Sequence, residues 1–454
     1  MKNNTSYTLY IIFTFIFFSC KEDDALSLLD INNILDDYDD YVSSESHTSD
    51  YIYDPNKLHR YDLYLSEENL KKINDDPSAE NYVEGSIVFE NKVIRNVGIR
   101  YKGSIGAWVG CLSGSDFTNP SGRKICPKLS MKIKVNWRSD NTFYGLKKLQ
   151  FHSQNLDPSK MHERLGYWMF RKFGITTARS THALLYINGE FNGVFANTEN
   201  IDGPFTNKHF DNGDGNLYKE VWPINSNGIA NDENYFIDGL KTNEEAEDVS
   251  RILNFGKEVQ NANSENIHEV IDKWMNINTF LKTIIVDRRI AHDDGFLHWY
   301  QDEGNLYSSH NFYWYENPLN EEIQLIPWDL DNAFENLITD ANPVTPIKDK
   351  WNETTSNCNG FSYGEWSIKQ KSAACDKIIG SYTIYEDRYD SLDNIFKQQF
   401  YNMSNINNLL SEWTMQIEDA VNEANKKYGN DEPNVINWKA EIEKLKSHIE
   451  LSLN

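Results

Sequence analysis

Three short segments in the second half of the chain carry residue types suited to phosphoryl chemistry: Asp293-Asp294-Gly295, His310-Asn311-Phe312-Tyr313 and Pro327-Trp328-Asp329-Leu330-Asp331. Transfer of a phosphoryl group to a hydroxyl needs an Asp to orient or deprotonate the acceptor. It also needs an Asn and an Asp to hold Mg²⁺ against phosphate oxygens. Carboxylate and amide oxygens are the hard ligands this ion prefers, with waters and phosphates completing its octahedron. Paired carboxylates also suit glycoside hydrolysis, but Asp329 and Asp331 are i, i+2 neighbours on one segment, and that chemistry leaves Asn311 without a role. Residues 211–216 hint at a calcium loop, yet they lack the EF-hand spacing and its closing Glu and read as a polar turn. His152, His162 and His182 show no ligand spacing and read as ordinary polar residues.

Apolar periodicity gives the elements that must position these groups. Residues 62–65, 86–89, 93–101 and 129–135 alternate as strands. In the last of these Leu129, Met131, Ile133 and Val135 share one face, and Lys132 and Lys134 share the other. A helix is expected after Asp157 as N-cap and Pro158 at the first position, closing at Gly174, with Met161, Leu165, Trp168 and Met169 as its buried stripe. Asn188-Gly189 between residues 182–187 and 190–198 is a hairpin signal. The first half thus reads β-β-β-α-β-β. Beyond Asn200 the pattern turns mainly helical, with a stripe of Ile277, Phe280, Leu281, Ile284 and Ile285 and a helical tail over 394–454. Two strand-like pieces interrupt it, at 311–315 and 324–328.

An antiparallel sheet with one helix, followed by a mostly helical half, is an α+β, two-lobed outline of the protein-kinase type. The residues carry the comparison further. Arg100-Tyr101-Lys102-Gly103-Ser104, Ser130-Met131-Lys132-Ile133-Lys134, Arg164-Leu165-Gly166-Tyr167, Asn188-Gly189-Glu190-Phe191-Asn192-Gly193, Glu199-Asn200-Ile201-Asp202, Gly215-Asn216-Leu217-Tyr218-Lys219 and the three acidic segments occur in the order that resembles the CotH family of atypical protein kinases. The resemblance implies a kinase-like fold that uses ATP with Mg²⁺ (or Mn²⁺) to phosphorylate Ser or Thr of secreted or surface proteins. It assigns Asp294 as the catalytic aspartate, Asn311 and Asp329 as metal holders, and Asp331 as an aid to a second ion. In ordinary kinases the Asn follows the Asp by about five residues; here the separation is 17. Residues 299–310 therefore read as an inserted loop, with Asp293 and Asp302 as alternative bases. The phosphate-side lysine is Lys132 paired with Glu163, or Lys102 beside Gly103. Glu199 falls where the lobes join and is expected to face the adenine or ribose. A non-catalytic adhesion module and an AMP-transferring enzyme are the competing readings.

The composition fits a carboxylate-and-cation solution. With 44 Lys+Arg against 69 Asp+Glu and a net charge of −25 over 454 residues, the chain lacks the basic face that nucleic-acid binding requires. Residues 9–18 form an apolar run of the length of a signal-peptide core, ending in Ser19-Cys20. This predicts a lipoprotein signal over 1–19 with Cys20 lipidated. Lys21-Glu22-Asp23-Asp24 resembles the acidic export tag of Bacteroidetes surface lipoproteins, which places the protein at the outer membrane, facing outward. Residues 20–57, rich in acids, read as a disordered stalk, 58–200 as the amino-terminal lobe and 201–454 as the carboxy-terminal lobe. The four remaining cysteines favour two local disulfides, Cys111–Cys126 and Cys358–Cys375, over a zinc site, for which no CxxC pair is present.

Overall fold

Lys132 and Lys134 alternate with fully buried Met131 and Ile133, whereas most other strands of the amino-terminal sheet are buried along nearly their whole length. The computed structural model describes residues 27–44, 46, 48–116, 118–302, 304–334, 358–363 and 368–453; residues 1–19 and Cys20 lie outside them. Eight strands form the first sheet: β1 (Asp39–Asp40), β2 (His59–Tyr64), β3 (Val83–Phe89), β4 (Lys92–Tyr101), β5 (Met131–Lys134), β6 (Lys148–His152), β7 (Ser180–Ile187) and β8 (Glu190–Thr198). Their order is β1-β4-β3-β2-β7-β8-β6-β5, and β5 also pairs with β4. The sheet thus closes on itself around Tyr61, Leu63, Ile99, Met131, Phe151 and Phe195. It is not wholly antiparallel as expected: β2 runs parallel to β7 and β1 parallel to β4. The β2–β7 pairing joins strands more than a hundred residues apart, so no local signal could reveal it. The Asn188-Gly189 turn forms as read, both residues at positive φ (51° and 82°).

The helix His162–Lys172 begins five residues after Asp157 rather than at Pro158. Asp157 still caps it from a distance, because one carboxylate oxygen accepts from the His162 N–H at 2.8 Å while the other holds Ser159. Gly174 closes the helix at φ 84°, a left-handed position that glycine fills without strain. The helix's apolar stripe belongs to the larger core, with Ile284, Trp413 and Trp438, and not to the sheet's own core. The boundary between cores therefore does not fall at residue 200.

The rest of the chain is mainly helical. Two small sheets interrupt it: β9 (Leu217–Lys219) beside the hairpin of β12 (Phe312–Glu316) and β13 (Ile323–Pro327), and β10 (His298–Gln301), β11 (Tyr307–Ser308), β14 (Phe361–Tyr363) and β15 (Ile368–Ser372). Asn276 caps the Ile277–Arg289 helix. The helices Met403–Tyr428 and Val435–Leu453 pack on each other, and the first also packs on β8. From Glu432 between them, a carboxylate reaches Lys128 (2.7 Å) and Lys160 (2.9 Å). Both disulfides, Cys111–Cys126 and Cys358–Cys375, are formed.

The disordered stalk is corrected by the structure. Within the described part of 20–57, a helix Leu28–Leu35 buries Ile31 and Leu35 against Val88 and Val93, and Ile52 and Tyr53 enter the sheet's core. The acids lie on the outward side of this layer, so composition alone gave the wrong reading.

Candidate active site

The acidic end of the site is built by three chain reversals. After the Ile277–Arg289 helix the backbone turns through Ala291 (φ 44°) into Asp293-Asp294; Asn311 (φ 60°) precedes β12, and Asp329 (φ 56°) follows β13. Three non-glycine residues in the left-handed region within one site is the kind of local cost that functional sites carry. Cross-links hold them in place. The Trp328 N–H donates to the Asn311 carbonyl (2.9 Å) and the Asp293 N–H to the Asn332 carbonyl (3.3 Å). The Asp329 N–H donates to the Tyr167 hydroxyl (3.0 Å). Buried His292 bridges the Asp329 carbonyl (2.9 Å) and the Asp287 carboxylate (3.1 Å).

The stretch 299–310 is an inserted hairpin. β10 pairs with β11 and with β15, which folds the insertion aside and returns Asn311 to Asp294. The Asn311 amide donates to the Asp294 carbonyl (2.8 Å) and to its carboxylate (2.9 Å). Of the three acids considered as base, Asp294 lines the cleft. Asp293 faces His298 (3.8 Å), and Asp302 holds the hairpin tip by accepting from Leu306 N–H (2.8 Å).

The cleft, of about 440 Å³, lies between this acidic end and the open face of the closed sheet. Lys102, Lys132, Asp294, Asn311, Asp329 and Asp331 all line it. Burial raises the Asp294 carboxyl above its ordinary value. Burial and then the neighbouring carboxylates of Asp329, Glu163 and Asp294 push Asp331 well above its own. Burial alone would raise Asp329 too, but Lys102 and His152 hold it below the usual range. Asp329 thus raises both Asp294 and Asp331, and these carboxylates with Asn311 in the same cleft are a donor set whose repulsion a divalent cation would relieve. Among the described residues no group of three or more His, Cys, Asp or Glu is placed to hold a metal ion by itself; Mg²⁺ takes one or two carboxylates and completes its shell with water and phosphate.

The cationic wall differs from expectation in its pairing. Glu163 does not pair with Lys132: its Oε1 meets His152 Nδ1 (2.7 Å) and accepts from the Thr198 hydroxyl (2.7 Å). His152 Nε2 in turn meets Lys102 Nζ (2.7 Å). Burial and then Lys102, Lys148 and Arg100 bring the Lys132 amine down to about 7. Glu199 does not line the cleft; it is 1% exposed and bound by Arg179 and His209 (2.9 Å), while its neighbours Asn200, Ile201 and Asp202 do line it. Sequence reasoning missed His152, Lys148 and His292. The first two alternate with Gln150 along β6, a period-two signal pointing to one face. Nothing local marks His292.

A closed sheet over a mainly helical body, with the acidic segments and a lysine wall in the cleft, defines an α+β protein of kinase-like organisation. The chain belongs to the CotH kinase protein family, whose model matches residues 99–453. It is similar to inner spore coat protein H of Bacillus subtilis (strain 168), with 24% identity over 205 residues, 43% of this chain and 52% of the relative. The matched region thus spans about half of that relative's length. The crystal structure of the Helicobacter pylori proinflammatory kinase CtkA is 12% identical, covering 74% of this chain and 95% of the other, at a TM-score of 0.23. The family model and the chain's own geometry, not that superposition, carry the assignment. No helix among the described residues is long and apolar enough to cross a membrane.

Proposed function

We propose that this protein is an atypical kinase that transfers the γ-phosphoryl group of ATP, with Mg²⁺ or Mn²⁺, to Ser or Thr hydroxyls of secreted or surface proteins. The observation that carries the reading is the hydrogen-bonded Asp294–Asn311 pair in the same cleft as Asp329, Asp331 and Lys102. When bound, the metal–nucleotide supplies the phosphoryl group and neutralises its charge. Asp294 orients the acceptor hydroxyl and receives its proton, and burial, by raising its carboxyl, makes it the better base. Asn311 fixes Asp294 with its amide nitrogen, which leaves its amide oxygen to the cation. Asp329 and Asp331 are the carboxylate ligands, and Lys102, not Lys132, is the phosphate-side lysine. Two formed disulfides support an oxidising, exported setting, in which Cys20 carries the lipid anchor to the outer membrane.

The test is incubation of the full protein with ATP labelled in turn at the α- and γ-phosphate, with a casein-type acceptor. Label from γ alone, lost in Asp294→Asn and Asp329→Asn, is the expected result. Label from α identifies AMP transfer. No label with either, despite tight metal–nucleotide binding, refutes the proposal in favour of a binding module.

A further inference from the structure

A strand lysine and a helix carboxylate ordinarily meet directly in kinase-like sites. Here a third side chain stands between them. Lys102 Nζ lies 2.7 Å from His152 Nε2, and His152 Nδ1 lies 2.7 Å from Glu163 Oε1. We propose that His152 is a positioning residue whose ring carries the link from Glu163 to Lys102, so that the helix carboxylate aims the phosphate-side lysine through imidazole. This rests on the kinase reading of the cleft.

With Lys102 as ammonium and Glu163 as carboxylate the donors and acceptors allow one arrangement, which opposes burial: burial lowers the Lys102 amine and, with Asp329 next, raises the Glu163 carboxyl to about 8. A lysine ammonium only donates, so Nε2 accepts from Lys102 and the ring proton sits on Nδ1, where it donates to Glu163. Thr198 donates to the same carboxylate oxygen (2.7 Å) and fixes the far end of the chain. The ring is 5% exposed and Glu163 1%. Burial, with the Lys102 charge next, brings His152 down to about 3, so the ring stays neutral and keeps its acceptor. Its edge packs on Trp328 (centroids 5.9 Å apart), and Lys102 lies 5.8 Å over the same indole. Trp328 directly precedes Asp329, so the link and the acidic loop are packed on one shared ring. A merely structural histidine would satisfy its nitrogens within the core. This one gives Nε2 to a half-buried lysine that lines the cleft.

Two measurements test it. ¹⁵N NMR of the nucleotide-free protein reads the ring directly: the expected result is the neutral Nδ1–H form, with the Nε2 resonance moving in Lys102→Met. A protonated Nε2, or a resonance indifferent to Lys102→Met, overturns the link, and this arm needs no His152 variant to fold. Calorimetry of ATP binding with Mg²⁺ then compares Lys102→Met, His152→Leu and the double variant. Each single change is expected to weaken binding about tenfold, and the double change no further than the weaker single. Losses that multiply to about a hundredfold overturn the proposal. If the wild type binds no nucleotide, the kinase reading falls, and the NMR arm alone decides whether His152 joins Lys102 to Glu163.

Discussion

Gly166 offers the sharpest physical handle on the acidic loop, because it sits where the His162–Lys172 helix crosses beneath Asp329. A Cβ at this position would lie 3.1 Å from Leu330 Cδ1 and 3.2 Å from Leu330 Cβ. Those contacts are short enough that Leu330 must move by a few tenths of an ångström. The next residue, Tyr167, holds the Asp329 N–H through its hydroxyl, so helix and loop are coupled at two adjacent points. Gly166→Ala sets two effects against each other. Alanine in a helix interior gains about 1 kcal/mol over glycine, while overpacking a closed core costs about 1–3 kcal/mol. The net change in stability is therefore small, ~0–2 kcal/mol, and the melting midpoint falls by a few degrees at most. The function should suffer more, because the displaced residue adjoins Asp329. A tenfold loss of metal–nucleotide affinity, ~1.4 kcal/mol, is expected in calorimetry at unchanged fold content. If Gly166→Ala binds Mg-ATP as tightly as the wild type, the helix does not set the position of Asp329, and this reasoning is refuted.

Three further outcomes follow from the same packing. Glu432→Gln strands two buried lysines, each 2–3% exposed, and is expected to cost ~3–5 kcal/mol in denaturant unfolding. Because burial and Lys160 already bring Lys128 down to about 7, that penalty should be larger at pH 6 than at pH 9, where Lys128 is neutral in both proteins. Burial alone would raise Glu199, but His209 and Arg179 hold it at about 2 against 4.5. Its folded value is the lower one, so it contributes ~3 kcal/mol above pH 4.5 that is lost as pH falls from there toward 2; wild type and Glu199→Gln melts should converge over that window. Replacing Cys111 and Cys126, whose loop spans 15 residues, with Ser should lower stability by ~3 kcal/mol.

Much of the site was legible because its parts are local. The strand alternation, the Asn188-Gly189 turn and the order of acidic segments are all properties of a few consecutive residues. The inserted hairpin could be inferred because Asp294 and Asn311 needed it, although its pairing with β15 could not. What escaped was non-local or compositional. The parallel β2–β7 pairing closes over a long crossover. The acidic amino-terminal layer hides four buried apolar anchors, Ile31, Leu35, Ile52 and Tyr53, among its carboxylates. His152 looked ordinary because its meaning depends on Lys102 and Glu163, which lie just past the end of a different strand and on a helix. Glu199 was misplaced for the opposite reason: its neighbours Asn200, Ile201 and Asp202 do line the cleft, but its own carboxylate is taken by Arg179 and His209.

The central claim is that Asp329 and its neighbours form a metal–nucleotide site, and thermal-shift titration of the whole protein with ATP, with and without Mg²⁺, tests it most directly. Ligand at a hundred times its Kd stabilises by about 2.7 kcal/mol. The account predicts a rise in the midpoint only when ATP and metal are both present, abolished by Asp329→Ala. An unmoved midpoint in the wild type, or an equal rise in Asp329→Ala, would contradict it.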